Sequence, residues 1–164
     1  MKKEYIIAYD CGTTALKTVL ISSDGTVIGD ARADNPLIQK EASWAEIEPA
    51  VIWGNICDTT KELVEKNEID PKNVIGLVFV AHWKNIIPVD NKGNVLYNSI
   101  IWADARAAEQ AKKLNDAAGF FVGTGQEYWP RLMWLKEKEP DIWKNTNRIM
   151  GLNTYLKWKA TGAF

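Results

Sequence analysis

Residues 5–20, Y-I-I-A-Y-D-C-G-T-T-A-L-K-T-V-L, read as a buried-type strand ending on Asp10, a turn through Gly12, Thr13 and Thr14, and a second apolar strand carrying Lys17. The first two strands span 5–9 and 15–22, and a turn at Ser23-Asp24-Gly25 leads into a third over 26–33, so the chain opens with an antiparallel three-strand meander. The order of residues at the first turn also suggests a chemistry. A carboxylate at a strand tip can hold Mg2+ and its waters while the next backbone N–H groups and two hydroxyls face an anion. Gly12 allows close approach of the backbone. An ordinary turn between two strands uses the same residue types, and taken alone this segment leaves both readings open.

The rest of the chain places that meander in a layered α/β domain. Pro49 suits a first helical turn, and Val51, Ile52, Ile56, Leu63 and Val64 share one helical face, which predicts a helix over about 49–67. Asp70-Pro71 breaks the chain. The continuous apolar run Val74-Ile75-Gly76-Leu77-Val78-Phe79-Val80 has the signature of a central strand covered on both faces. Short strands are expected at 86–90 and 95–97, with an extended stretch at 100–102 and a helix beginning at Asp104. Helical segments follow over 132–139, stopping at Pro140, and over 152–159, stopping at Thr161-Gly162. Strands first, then helices around a mixed sheet, define an α/β fold class with flanking helices.

Composition bounds the partners. The 164 residues fit one domain with a real core. A net charge of -1, from 20 basic and 21 acidic residues, gives no electrostatic reason to expect nucleic acid or an anionic membrane. No stretch reads as a signal peptide or a transmembrane helix, and a cytoplasmic location is expected. Cys11 and Cys57 lack metal or disulfide spacing and read as buried structural thiols. The eight Trp suit either aromatic ligand surfaces or packing.

Six separated segments converge on one family: D-C-G-T-T-x-x-K at 10–17, D-G at 24–25, W-A-E-I-E-P followed by Trp53, I-I-W-A-D-A-R at 100–106, L-M-W-L-K-E-K-E-P at 132–140 and Y-L-K-W-K-A-T-G at 155–162. In this order they resemble the N-terminal part of the FGGY carbohydrate kinases over essentially the whole chain. The resemblance implies a ribonuclease-H-like, actin-like ATPase fold. It also implies transfer of the gamma phosphoryl of Mg-ATP to a hydroxyl of a sugar or polyol, a reaction that rests on positioning and charge neutralisation. Under it Asp10 holds the metal and serves catalysis, and Gly12, Thr13, Thr14 and Lys17 bind the nucleotide phosphates. Lys17 reads equally well as an exposed strand residue.

Sugar recognition is expected from His82, Trp83, Lys84, Trp102, Asp104 and Arg106. The turn 81–85, A-H-W-K-N, departs from the turns of xylulokinases and L-xylulose kinases, and it names no sugar. His82 could simply be hydrogen-bonded at a strand end. In the W-x-D-x-R element, Trp102 can offer an apolar face to sugar CH groups, while Asp104 and Arg106 bind hydroxyls or brace each other. Asp104 as helix N-cap is the alternative. Trp44 and Glu46 read mainly as structure, and Trp134, Trp143 and Trp158 as packing residues. Residues 119–130 are shorter than the family's loop, with Tyr128 or Trp129 available in place of its aromatic group.

The resemblance places the general base and the whole adenine-binding domain beyond Phe164. Residues 1–164 are therefore expected to be a truncated N-terminal domain, inactive as a kinase alone, with self-association through its exposed apolar surface an open expectation. Two other classes remain: a noncatalytic sugar-binding or regulatory module, and an actin-like ATPase sharing only the fold.

Overall fold

The computed structural model describes residues 3–163 and divides the chain into two compact units. The first comprises Met1–Pro36, Ala50–His82 and Leu156–Phe164, and the second Leu37–Pro49 and Trp83–Tyr155.

The first unit is built on strands β1 (Tyr5–Cys11), β2 (Ala15–Ser22) and β3 (Val27–Asp34), the expected antiparallel meander, in a register that sets Asp10 opposite Lys17 across β1 and β2. Strand β5 (Val74–Ala81) joins β1 in parallel, giving a mixed sheet of order β3-β2-β1-β5. Alternation sets the core: Tyr5, Ile7, Tyr9 and Cys11 of β1 are buried, as are Leu16, Thr18 and Leu20 of β2. Helix α1 (Pro49–Lys66) contributes Ile52, Ile56, Thr59 and Leu63 from one face. Each large apolar side chain so buried is worth about 1.5–3 kcal/mol. Two side-chain hydrogen bonds fix the helix on the sheet, Thr18 Oγ1 to Thr59 Oγ1 at 2.8 Å and Tyr9 Oη to Thr60 Oγ1 at 2.7 Å.

The second unit holds two small sheets. Strand β4 (Glu46–Ile47) pairs with β7 (Ser99–Ile100), and β6 (Ile87–Val89) pairs with β8 (Arg148–Met150), both antiparallel. Helices α2 (Ala108–Ala118), α3 (Tyr128–Lys138) and α4 (Pro140–Asn145) pack with them. The core here is Ile86, Ile100, Ala107, Trp134 and Leu135, against which Trp44, Tyr97 and Trp143 lie. Helix α5 (Leu152–Thr161) starts in this unit and ends in the first.

Several expectations need correction. β5 is not central: among the described residues it pairs only with β1, at the sheet edge, and Ile75, Leu77, Val78 and Val80 are 46–60% exposed. An apolar run reports the burial a strand is suited to, whereas its place in a sheet depends on which partners pair with it. Residues 95–97 make a single bridge, Val95 to Val89, in place of a strand, and β8 was not foreseen. The helix expected over 132–139 does stop ahead of Pro140, but it begins earlier, at Tyr128, and a further helix follows it. α3 stops at Lys138 and Pro140 opens α4, a position where its missing N–H costs nothing. Cys11 is buried but Cys57 is exposed on α1.

Candidate active site

At the β1–β2 turn, the Asp10 carboxylate is exposed and lies 3.5 Å from the Lys17 ammonium. A lone, solvent-facing carboxylate suits Mg2+, which keeps most of its waters and takes one or two protein carboxylates. Among the described residues no group of three or more His, Cys, Asp or Glu side chains gathers as a metal cluster.

The turn itself is tightly closed. Gly12 N–H donates to the Ala15 carbonyl at 3.0 Å, and a Cβ on Gly12 would meet that same oxygen at 3.0 Å. The glycine therefore allows the turn to close, and its N–H is engaged inside the hairpin, not offered to an anion. Thr14 is exposed beside it. A brace that sequence reasoning missed holds the turn from behind. Asn35, buried just after β3, donates from Nδ2 to the Gly12 carbonyl at 2.9 Å and from its backbone N–H to the Thr14 carbonyl at 2.9 Å. Asn55 of α1 donates to Asn35 Oδ1 at 3.0 Å. The available signal was an Asn following a strand, which any turn could explain. Cys11, next to Asp10, is sealed in the core, and burial followed by the Asp10 charge pushes its thiol up to about 12. His82 ends this unit, its N–H donating to the Cys11 carbonyl at 3.3 Å.

A mostly apolar groove of about 670 Å³ opens along β1, β5 and α1, lined by Tyr9, Trp53, Cys57, Val64, Leu77 and Phe79 among others. None of the candidate site residues lines it. Its apolar walls have the character of a packing surface.

In the second unit the W-x-D-x-R element separates into an exposed part and a buried part. Trp102 is 44% exposed, whereas the Asp104 and Arg106 side chains are 0% exposed. Arg106 Nη2 lies 2.7 Å from both Asp104 Oδ2 and Glu46 Oε1, and Nε donates to Asp104 at 2.9 Å. The guanidinium is stacked 3.8 Å from the Trp44 ring centroid. Burial opposes its charge, but hydrogen bonds and charge from Asp104, then Glu46, prevail and raise its pKa. Asp104 also accepts from the Ala45 N–H at 2.6 Å. The N-cap alternative does not hold, because α2 begins at Ala108 after Ala107, and the Asp104 carboxylate is already engaged. The mutual brace describes the pair.

Trp83 is 71% exposed, and Lys84 reaches back over its ring at 4.5 Å while pairing with Glu127 at 2.7 Å. Lys84 has φ 57°, a left-handed conformation that non-glycine residues seldom adopt outside functional or over-determined sites. Tyr128 donates to the Asn85 carbonyl at 2.7 Å, while Trp129 is 67% exposed. The second residue that sequence reasoning missed is Arg131, wholly buried beneath this turn.

Comparisons with known proteins agree on ancestry. The N-terminal domain of the FGGY family of carbohydrate kinases matches residues 5–164. A xylulose kinase of Bacillus subtilis (strain 168) is 26% identical over 166 residues, covering 97% of this chain and 33% of that protein. The chain thus spans about a third of the length of the curated relatives it matches. A gluconate kinase structure from Lactobacillus acidophilus superposes with TM-score 0.85 at 27% identity, covering 98% of this chain and 34% of that one. A ligand-bound xylulose kinase structure from the same organism gives TM-score 0.82 at 29% identity, covering 97% and 34%. The fold is the ribonuclease-H-like, actin-like ATPase fold, and the chain belongs to the FGGY family of carbohydrate kinases, matching its N-terminal domain.

Proposed function

We propose that the chain supplies the phosphate-facing and sugar-facing part of an ATP-dependent kinase that phosphorylates a sugar or polyol hydroxyl. The observation that carries this reading is the β1–β2 turn: an exposed Asp10 carboxylate beside Lys17, on a hairpin held from behind by Asn35. Asp10 would hold Mg2+ through its waters, and Mg2+ when bound supplies charge neutralisation to the phosphates. Thr13 and Thr14 present hydroxyls at the same tip, Gly12 lets the tip close, and Lys17 balances anionic charge beside it. A rigid tip of this kind orients groups before the reaction, which is what phosphoryl transfer requires.

Trp102 and Trp83 offer exposed aromatic faces to sugar CH groups, and Lys84 offers a charged donor. Asp104 and Arg106 support the strand end that carries Trp102. His82 is assigned to the same recognition segment by the resemblance. The carboxylates of these sugar-facing segments are all engaged, Glu46 and Asp104 with Arg106 and Glu127 with Lys84. A general base needs a carboxylate available to the attacking hydroxyl, so on this reading the base comes from outside these residues, as does the adenine-binding domain that the family resemblance implies, and the chain alone does not turn over. Among the described residues no helix is long and apolar enough to cross a membrane. A cytoplasmic setting fits a kinase that draws on ATP.

The test is ATP-dependent phosphorylation of ketopentoses, aldonates and glycerol by the full-length protein and its Asp10→Ala variant. The variant is expected to lose about a hundredfold or more in rate, the scale of removing one preorganised charge contact at a reacting centre. An undiminished rate would remove Asp10 from the metal role.

A further inference from the structure

Arg131 stands out because it is a fully buried guanidinium whose hydrogen bonds run to main-chain carbonyls. Nη2 donates to Lys84 O at 2.7 Å, Nη1 to Ile101 O at 2.5 Å and Ile100 O at 3.3 Å, and Nε to Glu127 O at 3.2 Å. Arg106, by contrast, is matched to two carboxylates. Burial depresses the Arg131 pKa, with nearby charges on Asp104, Tyr128 and Glu127 acting the other way. A cation buried against carbonyls is a costly way to fill space, and an apolar side chain would pack there at less cost. What the guanidinium does that an apolar group cannot is span two chain segments in a fixed planar geometry.

Those two segments are the ones that present the candidate sugar-facing residues. The Lys84 carbonyl belongs to the left-handed residue between Trp83 and Asn85, and the Ile101 carbonyl immediately precedes Trp102. Tyr128, one helical turn before Arg131 on α3, holds the next carbonyl of the same turn, that of Asn85. Asn85 in turn donates from Nδ2 to Oγ of Ser99, the first residue of β7, at 2.8 Å. The first turn of α3 thus pins the left-handed turn and the β7 end together.

We infer that Arg131 is a positioning residue for acceptor recognition, fixing the turn at Trp83–Lys84 and the strand end at Trp102 as one rigid surface. This rests on the sugar-kinase reading for its kinetic consequence, but its geometric content stands apart from that reading. Loss of the bridge releases both tryptophans together. The four hydrogen bonds of Arg131 all run to carbonyls of the second unit.

The experiment uses the full-length protein labelled with fluorotryptophan, the Trp83 and Trp102 fluorine signals being assigned by Trp83→Phe and Trp102→Phe. Arg131→Lys keeps the charge but cannot span all the carbonyls. It is expected to melt cooperatively, to move both signals together, and to raise KM for the best acceptor among D-xylulose, L-xylulose, gluconate and glycerol by about tenfold, the scale of losing one charged hydrogen bond. KM for ATP should stay within about twofold, because the hydrogen bonds of Arg131 run to the Trp83–Lys84 and Trp102 segments and to Glu127. Arg131→Met should do the same more strongly. If it does not fold, Tyr128→Phe, which frees only the Asn85 carbonyl, should move the Trp83 signal. Unchanged signals in Arg131→Lys, or a fall in kcat with acceptor KM unmoved, would overturn the inference. Failure of the unaltered protein to phosphorylate any acceptor would sink the kinase reading instead, and the fluorine signals would still decide the role of Arg131.

Discussion

Asn35 Nδ2 donates to the Gly12 carbonyl at 2.9 Å, tying the chain that leaves β3 back to the turn that carries the candidate phosphate residues. Its own backbone N–H takes the Thr14 carbonyl, so one buried residue holds two of the turn's carbonyls. Asn35→Asp keeps the shape and removes the side-chain donor, placing a carboxylate against a carbonyl. It should destabilise the protein by about 1–3 kcal/mol, the cost of a buried polar group left unmatched. Denaturant midpoints and faster hydrogen exchange at the Gly12 amide would show it, and unchanged exchange there would refute the brace.

The Arg106 cluster makes a different demand. Removing the guanidinium takes the counter-charge from Asp104 and Glu46, both 0–1% exposed, and leaves each with neutral donors such as the Ala45 N–H and Asn98 Nδ2. Arg106→Met is expected to cost about 3–5 kcal/mol, the range for breaking a buried pair by deleting one partner. Asp10→Ala, which breaks an exposed pair, should cost no more than about 1 kcal/mol. Equal losses in the two variants, measured by urea unfolding, would contradict the burial argument.

These two sites show where sequence reading worked and where it stopped. The meander was legible because strand periodicity and turn residues are local, and β2 begins and ends at the residues expected. The edge position of β5 was not, since pairing is a property of partners far away in sequence. Asp10, Trp102 and Arg106 were singled out as candidates through motif spacing, which also points to the Asp104–Arg106 contact that the structure contains. Asn35 and Arg131 were missed because each acts on backbone carbonyls, and a carbonyl acceptor leaves no mark in the sequence. The role of Asp104 was half legible: the Asp–Arg spacing pointed to a brace, but Ala45 and Glu46, which complete it, lie about a third of the chain away.

The two cysteines should behave oppositely. Cys57 is exposed on α1, while Cys11 is buried with its thiol raised from 9.0 to about 12 by burial and then by Asp10. A disulfide reagent must reach the sulfur, so the exposed Cys57 is expected to react in the folded protein and the buried Cys11, held protonated, only after unfolding. A raised folded pKa means that the proton is held more tightly in the folded state. The Cys11 contribution to stability is therefore full below pH 9 and declines as pH rises through the window up to about 12. Cys11→Ala should flatten that alkaline slope, and an unchanged slope would assign it to other groups.

Gly125 tests the seating of the loop ahead of α3. It is buried, and a Cβ there would meet Ala108 N at 2.7 Å, Ala105 O at 2.9 Å and Ala107 C at 3.0 Å. All three are backbone atoms at the start of α2, where no side chain can swing aside to make room. Gly125→Ala must therefore push the loop off the helix start, costing about 1–3 kcal/mol as an overpacked core substitution does. Because residues 124–127 lead directly into the turn of α3 that carries Tyr128 and Arg131, the displacement should also reach the Lys84–Glu127 pair, whose separation is 2.7 Å. A lowered melting temperature together with a shifted Trp83 signal is the expected result. An unaltered melting curve would mean that the loop can leave the start of α2 without cost.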